Sequence, residues 1–215
     1  MVLATFVTGI IVYPHLPLVA TSRWNILGYV SNTLPRFWAA FLLPSVLLVL
    51  SGVWALLPRI DPIAPGFRGF RYAYDFFWIL LTAFYAYLYA LTLGGNFGWR
   101  VDIVHALAPA LAVLIIITGV LLPRIKRNWC IGIRTPWSLL SDEIWDKTHR
   151  LGSRLFVLAG VIIFAAAFTS RAVGGWLIIT PVVLTATISV LYSYTLFSRN
   201  KNKLASSERQ TEYGA

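Results

Sequence analysis

Charge is scarce in this 215-residue chain. Charged residues make up 12% of it, about half the ~25% usual in a water-soluble domain, and acids are scarcer than bases, 8 against 18. Such a composition excludes an ordinary soluble domain. One cysteine, Cys130, excludes a disulfide framework; it reads as a small packing residue, because a reactive thiol would need its pKa lowered, a task only Lys126 and Arg127 nearby could perform. The three histidines, His15, His105 and His149, stand in separate segments, so they form no transition-metal ligand cluster, and no cofactor is implied.

Apolar residues are abundant, 58% of the chain, and they come in runs. A membrane-spanning helix needs about 20 mostly apolar residues, and four runs qualify: 37–57, 73–93, 103–122 and 174–197. A fifth, 155–169, is short but can be extended backwards into a helix-like segment. A sixth, 2–13, is shorter still; no Lys or Arg precedes it and no clear cleavage site follows, so it reads as a retained helix. The expected fold is all-α: a single membrane domain over 1–215, a six-transmembrane-helix bundle with an amphipathic interfacial helix in the fourth-to-fifth loop. The lipid bilayer is its first partner.

Fourteen of the 18 basic residues fall in three segments, after the second span, after the fourth, and in the tail at 198–215. The positive-inside rule then puts both termini and the loop 123–154 in the cytoplasm of a multi-pass cell-membrane protein, and the loop 14–36 outside. Topology accounts for the net charge of +10, whereas direct nucleic-acid binding would call for one folded basic face.

Polar residues in or beside spans are costly in lipid and so attract a functional reading. Asp75 has Arg68 and Arg71 as candidate ion-pair partners. Asp102 either caps the fourth span, satisfying free backbone N–H groups, or relays protons with His105 on the same helix face. Tyr74, Trp78, Tyr85 and Tyr89 form an aromatic stripe, fit either to line a hydrophobic groove or to pack a neighbouring helix. Pro44, Pro109 and Pro181 fall within spans, where prolines can break helices around a solute site. The segments "LSGVWALLPRI" and "ITGVLLPRI" end the second and fourth spans alike, by an internal repeat or because Pro-Arg stops a helix well at an interface.

The polar passage "NWCIGIRTPWSLLSDEIWDKTHRLGSRLF" breaks this greasy pattern. Its approach is basic, through Arg124, Lys126 and Arg127, which suits anionic headgroups. Gly132 and Pro136 predict a turn. Ser141 with Asp142 and Glu143 predicts a helix start, and Gly152 a bend from the membrane surface into the fifth span.

This passage closely resembles the signature of the SdpI family, in which Asn-Trp-x-x-Gly-Ile-Arg-Thr-Pro-Trp-Thr-Leu precedes Trp-x-x-Thr-His-Arg. The matching positions are Asn128, Trp129, Gly132, Ile133, Arg134, Thr135, Pro136, Trp137, Trp145, Thr148, His149 and Arg150; Ser138 stands where the family has threonine. The outer loop is similar too, in Pro17, Trp24, Asn25, Gly28 and Arg36, with Arg23 where a histidine is usual. The resemblance implies an integral-membrane immunity protein against a secreted peptide toxin; the best-known members of the family also bind a cytoplasmic transcriptional repressor at the membrane when toxin is present. It makes Trp24, Asn25, Gly28, Tyr85 and Tyr89 candidates for facing the toxin. The signature positions become candidates for a repressor surface or for a brace between the fourth and fifth spans. A small-solute transporter is one alternative. A membrane enzyme is the other, with His149 as general base beside Asp146 or Glu143, although that trio also fits a solvated helix face. Nothing in the pattern specifies an oligomer.

Overall fold

The computed structural model describes residues 1–24, 30–61, 69–99 and 102–213, without the side chains of 22–24, 30 and 202–213. Helix α1 (Val2–Val12) leads through a 3-10 turn (Tyr13–His15) into strands β1 (Val19–Trp24) and β2 (Val30–Pro35). Five longer helices follow: α2 (Arg36–Ile60), α3 (Arg71–Asn96), α4 (Ile103–Leu121), α5 (Asp142–Ala165) and α6 (Arg171–Tyr213).

All five longer helices are long and apolar enough to cross a bilayer. Even the best covered, α4, has only 33% of its apolar window buried within the protein, so most of that surface must meet something other than protein or water. Lipid meets that need. The sixth expected span corresponds to α1 and its 3-10 turn, Val2–His15, which at 1.5 Å per residue reaches about 20 Å, less than the ~30 Å hydrocarbon core. It packs against α2 and α3 at Gly9, where a Cβ would lie 3.0 Å from both Ala40 O and Tyr89 Oη.

The all-α expectation holds for the membrane body and fails in the outer loop, where β1 and β2 pair antiparallel from Val19↔Pro35 to Trp24↔Val30. Asn96, at the end of α3, docks this hairpin. Its Oδ1 accepts from Thr21 N at 2.7 Å and its Nδ2 donates to Thr21 O at 3.0 Å, so one amide serves both backbone groups of a strand residue.

Close packing concentrates in the later helices. At Gly160 of α5 a Cβ would meet Ile116 Cγ1 at 2.4 Å, and at Gly119 of α4 it would meet Phe156 Cβ at 2.9 Å; small residues let helix backbones approach where apolar burial gives no net drive in lipid. The α2–α3 seam is aromatic instead. Trp54 stacks on Tyr74 at 4.2 Å and on Trp78 at 5.0 Å, and the Tyr89 hydroxyl donates to Ala40 O at 2.7 Å. Of the two readings of the stripe, helix packing holds for these residues.

Three local expectations are corrected. The bend at Gly152 is absent, for α5 runs unbroken from Asp142; Gly152 is buried because the preceding loop leans on it, with Ile133 Cδ1 only 2.3 Å from where a Cβ would stand. The prolines break nothing: Pro44, Pro109 and Pro181 all lie inside continuous helices. The two Leu-Leu-Pro-Arg-Ile segments differ in shape, the first ending in α-helix at Ile60 and the second leaving α4 through a 3-10 turn at Leu122–Arg124.

Candidate functional site

The signature loop is organised around Asn128, which is fully buried. Its Oδ1 accepts from Cys130 N at 2.8 Å and Ile131 N at 2.7 Å, and its Nδ2 donates to Lys126 O at 2.8 Å and Ile131 O at 3.0 Å. That exhausts the capacity of an amide side chain and holds the loop in one shape. Trp129 N donates to Asp61 Oδ2 at 2.9 Å, tying the loop to the end of α2, while the Trp129 ring is 53% exposed.

Next comes the turn. Gly132 has φ +114°, a conformation natural to glycine, and a Cβ there would lie 2.5 Å from His149 Nε2. The space is needed because His149 bridges loop and helix: Ile133 N donates to His149 Nε2 at 3.1 Å, and His149 Nδ1 faces Trp145 O at 2.9 Å. One partner is a donor and the other an acceptor, so the ring is neutral with its proton on Nδ1. It stacks on Trp145 at 4.0 Å, and Trp145 Nε1 donates to Ile125 O at 2.8 Å.

Thr135 and Ser138 close the loop reciprocally. Ser138 N donates to Thr135 Oγ1 at 3.0 Å and Thr135 N to Ser138 Oγ at 2.9 Å. Thr135 Oγ1 also donates to Ser193 Oγ at 3.0 Å, reaching α6, and Trp137 meets Tyr194 edge-on at 5.0 Å. Ser138 supplies the hydroxyl that the family's threonine would have.

The signature therefore divides in two. Asn128, Thr135, Trp145, Thr148 and His149 are buried, which, of the two readings, fits the brace and not the docking surface. Trp129, Gly132, Arg134, Pro136 and Arg150 are exposed and Trp137 half-buried; these form the accessible face. The enzyme reading loses its base, since both nitrogens of His149 are occupied by backbone and Glu143 is paired with Lys147. Cys130 agrees with its reading as a packing residue: burial, then a hydrogen bond and charge from Asp61, push its thiol up to about 11, away from reactivity.

At the other end of the same helices lies a charged cluster. Asp102 caps α4, accepting from Val104 N at 3.1 Å and His105 N at 3.4 Å. Its second oxygen meets His105 Nδ1 at 3.0 Å and the Arg171 guanidinium of α6. Burial raises the Asp102 pKa, but hydrogen bonds from Arg171 and His105 outweigh it and hold the carboxyl at about 2. Capping is what the geometry provides. Asp75 likewise pairs with Arg71.

Of the toxin-facing candidates, Trp24 is paired in the hairpin with Val30, Tyr85 is half-buried and Tyr89 is buried, which removes Tyr89 from any open groove. Asn25 and Gly28 lie outside the described residues. Sequence reasoning misses Asp61 and Asn96; an amide within the last turn of an apolar helix, as at Asn96, is the available signal.

Spanning helices, a buried polar lock and a basic face at one end define a multi-pass membrane protein. Comparison with known proteins gives its likeness. Residues 124–195, the lock with α5 and the first part of α6, match the SdpI/YfhL protein family, and residues 1–48 match a domain of unknown function, DUF1648. The chain is also 27% identical over 202 residues to Immunity protein SdpI of Bacillus subtilis (strain 168), covering 93% of each chain. The chain is a multi-pass membrane protein similar to the SdpI family. No solved structure matches it.

Proposed function

We propose that this chain is a membrane immunity protein that protects its host from a secreted, membrane-active peptide toxin. The observation that carries this reading is similarity to Immunity protein SdpI along 93% of both chains, signature segment included. The basic end, with both termini and the loop 123–154, faces the cytoplasm on the positive-inside rule. The hairpin region, with Trp24, Asn25 and Gly28, then meets the toxin, while Trp129, Arg134, Pro136, Trp137 and Arg150 offer the surface that recruits a repressor. Toxin and repressor approach from opposite sides, so each must favour the same conformation for one to report the other; α4, α5 and α6, joined at both ends, are the rigid elements suited to carry that coupling.

The test is survival. A Bacillus subtilis strain lacking its own Immunity protein SdpI, made to express this chain, is grown beside toxin-producing cells. Survival restored to that of protected cells supports immunity. Killing that continues despite equal protein in the membrane removes protection against that toxin from the reading.

A further inference from the structure

Beneath the signature loop is a cavity of about 150 Å³ that the lock does not use. Phe77 of α3, Leu121 and Leu122 at the end of α4, Ile131 and Ile133 of the loop and Phe156 of α5 are among its walls. The one polar side chain in the lining, Thr118, already donates to Leu114 O at 2.7 Å. The cavity is partly open, and an apolar space of this size accepts a body of about six carbons, the size of benzene. Its lining favours hydrocarbon.

Charge at the cavity's edge identifies which hydrocarbon. Arg124 and Lys126 flank the lining residue Ile125, and both are exposed. Asp61 accepts from Trp129 N, Asp75 pairs with Arg71 and Asp142 with Arg127, and no ion pair of the described residues involves Arg124 or Lys126. Arg124 and Lys126 therefore present two cations with no acidic partner among the described residues. From Arg124 to Thr118 the chain descends about 10 Å along the helix axis. Cations on either side of a residue that lines an apolar slot of that depth match a phosphate joined to an acyl chain.

We infer that this cavity holds the first part of an acyl chain of one anionic phospholipid, whose phosphate rests on Arg124 and Lys126. The lipid comes from the leaflet bathing the basic end of the bundle. It touches α3, α4, α5 and the signature loop together, so it fills a joint that the protein leaves open.

The full chain, purified in dodecyl maltoside, is titrated with dioleoylphosphatidylglycerol or dioleoylphosphatidylcholine, and bound lipid is counted by native mass spectrometry. One phosphatidylglycerol should be retained, preferred over phosphatidylcholine by roughly tenfold or more. Glycerophosphoglycerol, the same headgroup without chains, and inorganic phosphate should fail to displace it even in large excess. The R124A/K126A double variant, changed only at exposed positions, should bind both lipids equally. Thr118→Phe, which places a ring in the cavity, should lose the retained lipid of either kind. Equal retention of the two lipids by the unaltered chain overturns the inference. Displacement by the chain-free headgroup or by phosphate alone overturns it too, leaving an anion site without a chain slot. Should Thr118→Phe fail to fold, the headgroup and phosphatidylcholine arms on the unaltered protein decide the matter.

Discussion

The two ends of the α4–α5–α6 group are both held by a histidine, and the two histidines are held oppositely. His149 is 1% exposed and sits between a donor, Ile133 N, and an acceptor, Trp145 O. His105 is 35% exposed and sits between two acceptors, the Asp102 carboxylate and Thr169 O at 2.7 Å. The first bonding pattern is complete with a neutral ring; the second is complete only with a proton on each nitrogen. A neutral, desolvated lock is indifferent to salt and mild acid, whereas a charged, partly wetted one answers to both. The chain thus places its insensitive joint under the signature loop and its responsive joint at the hairpin end.

The comparison breaks most readily at Asn128. Asn128→Ala removes four hydrogen bonds and strands buried backbone groups, at about 1–3 kcal/mol for each group left unsatisfied. A loss of about 3 kcal/mol or more is expected, read as a lowered thermal midpoint in detergent with the same deficit at low and high salt. Gly132→Ala comes next. Backbone at φ +114° disfavours an L side chain, and the new methyl would press on His149 Nε2, so about 2 kcal/mol should be lost. An unfolding midpoint for Gly132→Ala equal to that of the unaltered chain would show the His149 bridge to be dispensable.

Asp102→Asn tests the responsive end. Asparagine is as good a helix cap as aspartate, so the substitution removes the charge pairing with Arg171 and His105 and spares the cap. About 1 kcal/mol should be lost at neutral pH. The sign of its acid dependence follows from the lowered folded-state value of about 2, against 3.8 for a free aspartate: the contribution is present above about pH 4 and lost as pH falls through about 2. Unfolding curves of the two proteins should therefore converge between about pH 4 and 2, and stay apart in the same range if the pairing is not what stabilises.

Much of this contrast is legible in the order of the amino acids, and the part that is not has a physical reason. Apolar runs locate α2, α3, α4 and most of α6 because lipid-facing surfaces need only be greasy. Ser141 marks the start of α5 correctly. The stretch from Asp142 to Arg154 reads as a helix lying on the membrane because hydropathy records a side chain's preference for water without its partners, and Trp145 and His149 spend their polarity on hydrogen bonds to backbone of the loop and helix instead. The hairpin is illegible for a related reason: its short, polar strands carry no period of their own, and the groups that fix them, such as Asn96, lie some 75 residues away in the chain. Signature residues announce themselves by type, but only burial separates those that brace from those that face outward.

The smallest expected effect on stability carries the most information about role. The Arg134 guanidinium donates to Trp129 O from an exposed position, so Arg134→Ala should cost no more than about 0.5 kcal/mol and leave the amount of protein in the membrane unchanged. Asn128, a few residues away, belongs wholly to the brace. If the exposed face recruits a cytoplasmic protein, Arg134→Ala should abolish recovery of that protein in the membrane fraction at unchanged thermal midpoint, whereas Asn128→Ala should lower both together. Were Arg134→Ala instead to unfold the protein as Asn128→Ala does, the whole signature would be one brace. Were it to leave stability, recruitment and survival all unchanged, the exposed face would have no part in docking, and the division between buried and exposed signature residues would lose its functional meaning.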